Sequence, residues 1–277
     1  MATQGPFKYT NKLQGSRVLV LGGSTGIGFS VAEAAVEHGA FVTVSSSTQA
    51  KLDKAVSRLR DHATAVGLSP DNITAKTCDL SDPDSLDESI VSLLEFASEK
   101  GKLDHVVFTA GGALNLPKLE EVTVEHLQKM NVVRTYGSIF VAKHLPKYIN
   151  ASVKSSFTLT AGSASWRPSA AFAILAGTSA GMEGLGRGFA VALRPVRVNT
   201  VMPGAVHTEL FDSIPKDRLP AVLESFKKDS LLGTVGTSEE LAESYIYLMK
   251  DTFATGAVVE SNGGRLVGDS KDQFKFS

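Results

Sequence analysis

The sequence predicts one α/β domain, a doubly wound Rossmann-type fold in which a seven-stranded parallel sheet carries helices on both faces. Three observations lead there. Short apolar, β-branched segments alternate with segments of helical period along most of the chain. The first strand–helix junction is spaced by glycines. The chain of 277 residues is 43% hydrophobic, enough to bury a substantial core.

The same composition excludes several functions. Lys and Arg number 28 against 29 Asp and Glu, so no electrostatic footprint for nucleic acid or an anionic membrane is present. The single Cys78 cannot build a disulfide framework or a cysteine metal site, and the six histidines lack metal-ligand spacing. No apolar run is long enough to span a membrane, and Met1-Ala2-Thr3-Gln4-Gly5-Pro6 does not read as a signal peptide. The expectation is a cytoplasmic protein acting on a small molecule, with no metal, nucleic acid or membrane partner.

Val18–Leu21 reads as the first strand and residues 30–36 as part of the first helix, joined by Gly22-Gly23-Ser24-Thr25-Gly26-Ile27-Gly28. Gly22 lets the chain leave the strand, Gly26 keeps a side chain away from a bound pyrophosphate, and Gly28 allows close helix–strand packing. Backbone N–H groups at the helix start, with the positive end of its dipole, suit an anion. Gly22, Ser24, Thr25, Gly26, Ile27 and Gly28 are therefore candidate cofactor-binding residues. The spacing Gly-x-x-x-Gly-x-Gly resembles that of the short-chain dehydrogenase/reductase superfamily.

Ala40–Val44 reads as the second strand, ending in Ser45-Ser46-Ser47-Thr48 with Lys51 beyond. An NAD site usually has an acid here for the ribose, and none precedes Asp53. Hydroxyls with a lysine suit a 2′-phosphate, so NADP is favoured over NAD; a polar loop with helix-capping serines is the alternative. A helix over 51–65 and a strand over 73–77 follow. Asp79-Leu80 resembles the pair that meets the adenine in the family; Asp79 or Ser81 capping the next helix is the plainer reading. Residues 82–100 read as a helix and 103–108 as a strand ending in Thr109-Ala110-Gly111-Gly112. The family has Asn-Asn-Ala-Gly there, so Ala110 and Gly111 keep the close approach to the cofactor, while Thr stands at 109.

A long helix is expected over 123–148. Anchored on Gly137, the resemblance aligns the family's catalytic asparagine with Arg134; a surface arginine is the alternative. After a strand at 157–160 the loop 161–166 should carry the catalytic serine, for which Ser163 is the best candidate. Met182-Glu183-Gly184-Leu185 anchors the next helix and aligns the family's catalytic tyrosine and lysine with Leu175 and Ser179, so the Tyr-x-x-x-Lys pair is absent. Trp166 offers a flat face to an aromatic or cationic substrate, or simply packs. Arg197–Val201 reads as the sixth strand. In the stretch after it, Pro203, Gly204, Val206 and Thr208 resemble the family's nicotinamide- and diphosphate-holding segment. Residues 209–233 should cover the substrate with Phe211, Ile214, Leu219, Val222, Leu223 and Phe226 facing inward. A capped helix from Thr237 to Met249 and a strand over 255–260 complete the domain, with boundaries of 1–14 for an N-terminal extension, 15–268 for the domain and 269–277 for a tail.

The resemblance implies an NADP-binding reductase without the usual proton relay. Three chemistries stay open: hydride transfer to an iminium-type acceptor, a non-redox cyclisation in the cavity, or binding without catalysis. Arg134 with Trp166 is similar to a natural-product branch, in indole-alkaloid biosynthesis, that couples iminium reduction to an intramolecular Diels–Alder closure. Arg134, Ser163 and Trp166 are the candidate catalytic residues, and a homodimer or homotetramer is expected.

Overall fold

The computed structural model describes residues 8–111 and 117–270. Gly112 of the fourth strand's loop and most of the expected tail lie outside that range. Among the described residues the strands are β1 (Arg17–Leu21), β2 (Phe41–Ser46), β3 (Ile73–Thr77), β4 (His105–Phe108), β5 (Ser156–Thr160), β6 (Arg197–Pro203) and β7 (Val258–Ser261). They form one parallel sheet in the order β3-β2-β1-β4-β5-β6-β7. β1 pairs with β2 through Val20↔Val44 and with β4 through Val20↔Val107. Strand order reverses between β1 and β4, which opens a crevice at the carboxyl ends of the strands.

The helices are α1 (Gly26–Glu37), α2 (Gln49–Ala65), α3 (Leu86–Ser98), α4 (Val124–Asn131), α5 (Gly137–Tyr148), α6 (Ala173–Ala192), α7 (Leu219–Lys228) and α8 (Ser238–Lys250). Strand periodicity splits the core into two layers. Val18 and Val20 of β1 pack with Val42, Val44 and Ile73 under α1, α2 and α8. Leu19 and Leu21 pack on the other face with Val106, Phe108, Phe157 and Leu159, under α3, α5 and α6. Leu13, ahead of β1, is buried in the first layer. α8 starts as expected: Thr237 Oγ1 accepts from Glu240 N at 3.3 Å, and Glu240 Oε2 accepts from Thr237 N at 2.9 Å.

The expected long helix over 123–148 is corrected in one respect. Val132–Tyr136 form a π-helical turn between α4 and α5. Every residue in that stretch is compatible with a regular helix, so periodicity does not reveal the wider turn. The consequence is local. The π turn carries Arg134 and changes which side chains face inward, as such bulges often do at functional sites. The helix expected over 82–100 is also shorter, because 82–85 form a turn closed by Asp82, which accepts from Asp84 N and Ser85 Oγ.

Candidate active site

A cleft of about 760 Å³ runs across the carboxyl ends of the sheet. Its floor at one end is the β1–α1 junction. Gly22 has φ +85°, and a Cβ there would meet Ala110 N at 2.7 Å, so the turn and the β4 loop require glycine. Gly26 has φ +52°, and a Cβ on it would press on Thr208 at 3.1 Å. Glycine at 26 thus serves backbone conformation and the contact with the 203–208 segment, besides leaving room for a ligand. Gly22 and Gly23 N–H both donate to Ser45 O, and Ser24 Oγ donates to Ser46 Oγ at 2.8 Å, which ties the glycine turn to the end of β2.

The residues present fit a dinucleotide. The N-terminus of α1 opens into the cleft, and an anion already stands there: Glu209 Oε2 accepts from Gly26 N at 2.9 Å. A carboxylate in that place shows what charge the helix terminus favours. Ser46, Ser47, Thr48 and Lys51 line the end beyond β2, with Ser47, Thr48 and Lys51 exposed; Ser45 is buried. Asp79 lines the same end and closes its own turn by accepting from Ser81 N at 2.9 Å, with Leu80 buried beneath. Cys78 beside them is a packing residue, its thiol pushed up to about 11 by burial and by the Asp79 charge. Thr25, Ile27, Gly28, Ala110, Gly111, Pro203, Gly204, Val206 and Thr208 also line the cleft.

The opposite end carries the candidate catalytic groups. Arg134 lines the cleft from the π turn, and a Cβ at Gly111 would lie 2.5 Å from its Nη2, so the guanidinium lies against the β4 loop. It has no hydrogen-bond or ion-pair partner among the described residues, and burial lowers its pKa. Asn131, the nearby asparagine, is engaged with its own helix through Leu127 O and Thr135 Oγ1. Ser163 is 6% exposed and lines the cleft beside Leu175 and Ser179 of α6. Phe211 and Phe226 cover this end, stacked at 5.8 Å.

Trp166 is not with them. It is 67% exposed, outside the cleft lining, and its indole Nε1 donates to both Glu183 oxygens at 3.2 and 3.0 Å. Its expected place facing a substrate within this chain is corrected. The serine loop leaves the cleft after Ala164, where Ser165 Oγ and the indole both donate to the buried Glu183 carboxylate on α6.

Three contacts of the candidate site escaped the sequence reading. Glu183 anchors the serine loop, Glu209 occupies the helix terminus, and Arg265 lines the cleft with Nη1 donating to Ser163 O at 3.2 Å and Oγ at 3.4 Å. Each contact joins residues far apart in the chain, and local pattern gives no signal for it. Among the described residues there is no group of His, Cys, Asp and Glu able to hold a metal, and no helix long and apolar enough to cross a membrane.

Fold and cleft together define a nucleotide-binding oxidoreductase class. The chain belongs to the short-chain dehydrogenase/reductase family: the family described as SDR-like Rossmann domain matches residues 9–267. Among its relatives is the short-chain dehydrogenase/reductase malC of Malbranchea aurantiaca, 39% identical over 260 residues that cover 92% of this chain and 96% of malC. Another is fsr5 of Gibberella fujikuroi, 40% identical over 275 residues, with 96% and 100% covered. The solved structure of the MalC reductase/Diels-Alderase superposes with a TM-score of 0.87 at 38% identity, over 93% of this chain and 99% of that one.

Proposed function

We propose that this protein is an NADP(H)-dependent reductase of natural-product metabolism, acting on an imine, iminium or similarly activated acceptor without a tyrosine–lysine relay. The observation that carries the reading is a cleft lined by the cofactor-cradling segments in which Leu175 and Ser179 stand at the positions aligned with that relay. The bound cofactor supplies a hydride. Gly26 and Ile27 would hold its diphosphate, Ser46, Ser47, Thr48 and Lys51 the 2′-phosphate, and Asp79 and Leu80 the adenine. Ala110, Gly111, Pro203, Gly204, Val206 and Thr208 would line the nicotinamide side.

A ketone that accepts a hydride becomes an alkoxide and needs a proton in the same step. An acid placed for this contributes about 10²–10⁴-fold. Leu175 has no proton to give, and a serine hydroxyl is a far weaker acid than a tyrosine beside a lysine. Hydride addition to the carbon of C=N⁺ yields a neutral amine directly. That acceptor suits the side chains present.

Arg134 and Ser163 would then bind and orient substrate oxygens rather than move protons. Likeness to MalC, a reductase/Diels-Alderase, favours a second reading, in which the same cavity also shapes a cyclisation. NADPH consumption followed with cyclic imines and with ketones tests the first. Turnover of imines at least tenfold above ketones, and tighter binding of NADPH than of NADH in calorimetry, are expected. Ketone reduction at ordinary enzyme rates would refute it.

A further inference from the structure

Arg265 is the second guanidinium of the cleft. It lies beyond β7 and is 9% exposed. Nη1 is spent on Ser163; Nε and Nη2 have no hydrogen-bond partner among the described residues. Its backbone is pinned from outside. Arg167 Nη1 donates to Arg265 O at 2.7 Å and to Gly268 O at 2.9 Å, while Nη2 pairs with Asp269 at 2.9 Å. One arginine thus fixes the segment that aims the other.

Ser163 follows β5 and Gly111, on which the Arg134 guanidinium rests, follows β4. β4 and β5 are neighbours in the sheet, and neighbouring strands lie about 5 Å apart. The two guanidiniums therefore line the cleft from adjoining strand ends, and no carboxylate lies within ion-pair distance of either among the described residues, although the Asp229 charge acts on Arg265 from further off. Each guanidinium is taken out of water by burial, and each lacks acceptors for some of its donors. An oxygen-rich ligand relieves that penalty at both.

We infer that Arg265 and Arg134 form a two-point oxygen site, and that the substrate presents a carboxylate or a pair of carbonyl oxygens to it. Arg265 is then a specificity-determining residue, and it also holds Ser163 in place. This rests on the functional reading above and narrows its substrate class. A bare cation is disfavoured, whereas an iminium whose charge is offset by a carboxylate or flanked by carbonyls is accepted. The planar fork of arginine suits paired oxygens better than an ammonium does.

The test titrates malonate, and separately malonamide, into protein saturated with NADPH, followed by calorimetry. Saturation fills the phosphate sites, so either probe reports on the substrate end. Binding of malonate alone assigns a carboxylate, and binding of malonamide assigns a neutral dicarbonyl. Arg265→Gln and Arg134→Gln should each weaken the binding probe at least tenfold while NADPH affinity changes less than twofold. Should Arg265→Gln fail to fold, Arg265→Lys decides, with a loss of at least threefold expected from the missing fork. Neither probe binding to wild type, or unchanged binding in the folded variants, would overturn the inference. Wild type that does not bind NADPH would overturn the functional reading as well, so the two failures are distinguishable.

Discussion

Glu209 places a carboxylate on Gly26 N–H, at the helix terminus where a cofactor diphosphate would be held. A diphosphate bound at the same N–H would compete with this carboxylate, so the side chain is expected to move aside when a cofactor binds. The contact is exposed, and charge interactions at helix termini of this kind are worth about 0.3–1 kcal/mol. Glu209→Gln should therefore tighten NADPH binding by about two- to fivefold, measured by nicotinamide fluorescence; weaker binding would show that the carboxylate assists the cofactor instead.

His105 makes a residue-scale prediction of a different kind. It is buried on β4 with Nδ1 2.9 Å from Ser156 Oγ, and burial, helped by the Arg197 charge, pushes its pKa down to about 3. The folded state thus resists protonation that the unfolded chain accepts near 6.5. Stability is fully present above about pH 6.5 and is lost as pH falls towards 3, at up to about 1.4 kcal/mol per pH unit. Thermal melting of wild type and His105→Gln at pH 7 and pH 4.5 checks this. The variant should lose less of its melting temperature on acidification, and an equal loss would assign the acid sensitivity to other groups.

At the scale of elements, the π turn between α4 and α5 carries the arginine proposed to orient the substrate. Arg134 is held there without a described partner, at a cost in desolvation. Arg134→Met should raise the melting temperature or leave it unchanged, abolish turnover or product selectivity, and leave NADPH affinity nearly intact. A strongly destabilised variant would mean that the guanidinium is structural.

α6 makes a second element-scale case. Gly186 packs on Thr200 of β6, whereas Gly177, Gly181, Gly184 and Gly188 have open space where a Cβ would be. Each internal glycine costs a helix about 1 kcal/mol relative to alanine. A row of them with no neighbour within the chain calls for a close neighbour from outside it.

At the scale of the whole molecule, exposed Val191 continues that row along α6, exposed Trp166 is tied to α6 through Glu183, and the π turn with exposed Tyr136 packs against α6. We propose that a second copy of the chain covers this face. Light scattering at micromolar concentration should give a dimer or tetramer, and Gly181→Phe should shift it to monomer. A wild-type monomer would contradict the proposal.

How much of this was legible beforehand varies with the range of the interaction. The order of strands and helices and the glycine turn could be read because local pattern and spacing determine them, whereas Arg134 came to notice only through the family resemblance, aligned on Gly137. The π turn could not, because a one-residue change in helical pitch leaves no mark on residue type. Trp166 was misplaced because a loop's direction is set by Glu183, on a helix further along the chain. Arg265 and Glu209 went unread because each meets its partner only when the strand ends converge, Arg265 from 102 residues away and Glu209 from 183.

The central claim is that this cleft delivers a hydride to an acceptor that needs no proton. Incubation with NADPH deuterated at the transferable position, with matched N-alkyl cyclic iminium ions and ketones, tests it most directly. Deuterium should appear at the former C=N carbon of the amine product, with little or none in an alcohol. Deuterium in a ketone-derived alcohol at ordinary enzyme rates, or bound NADPH that transfers no label to any acceptor, would contradict the account.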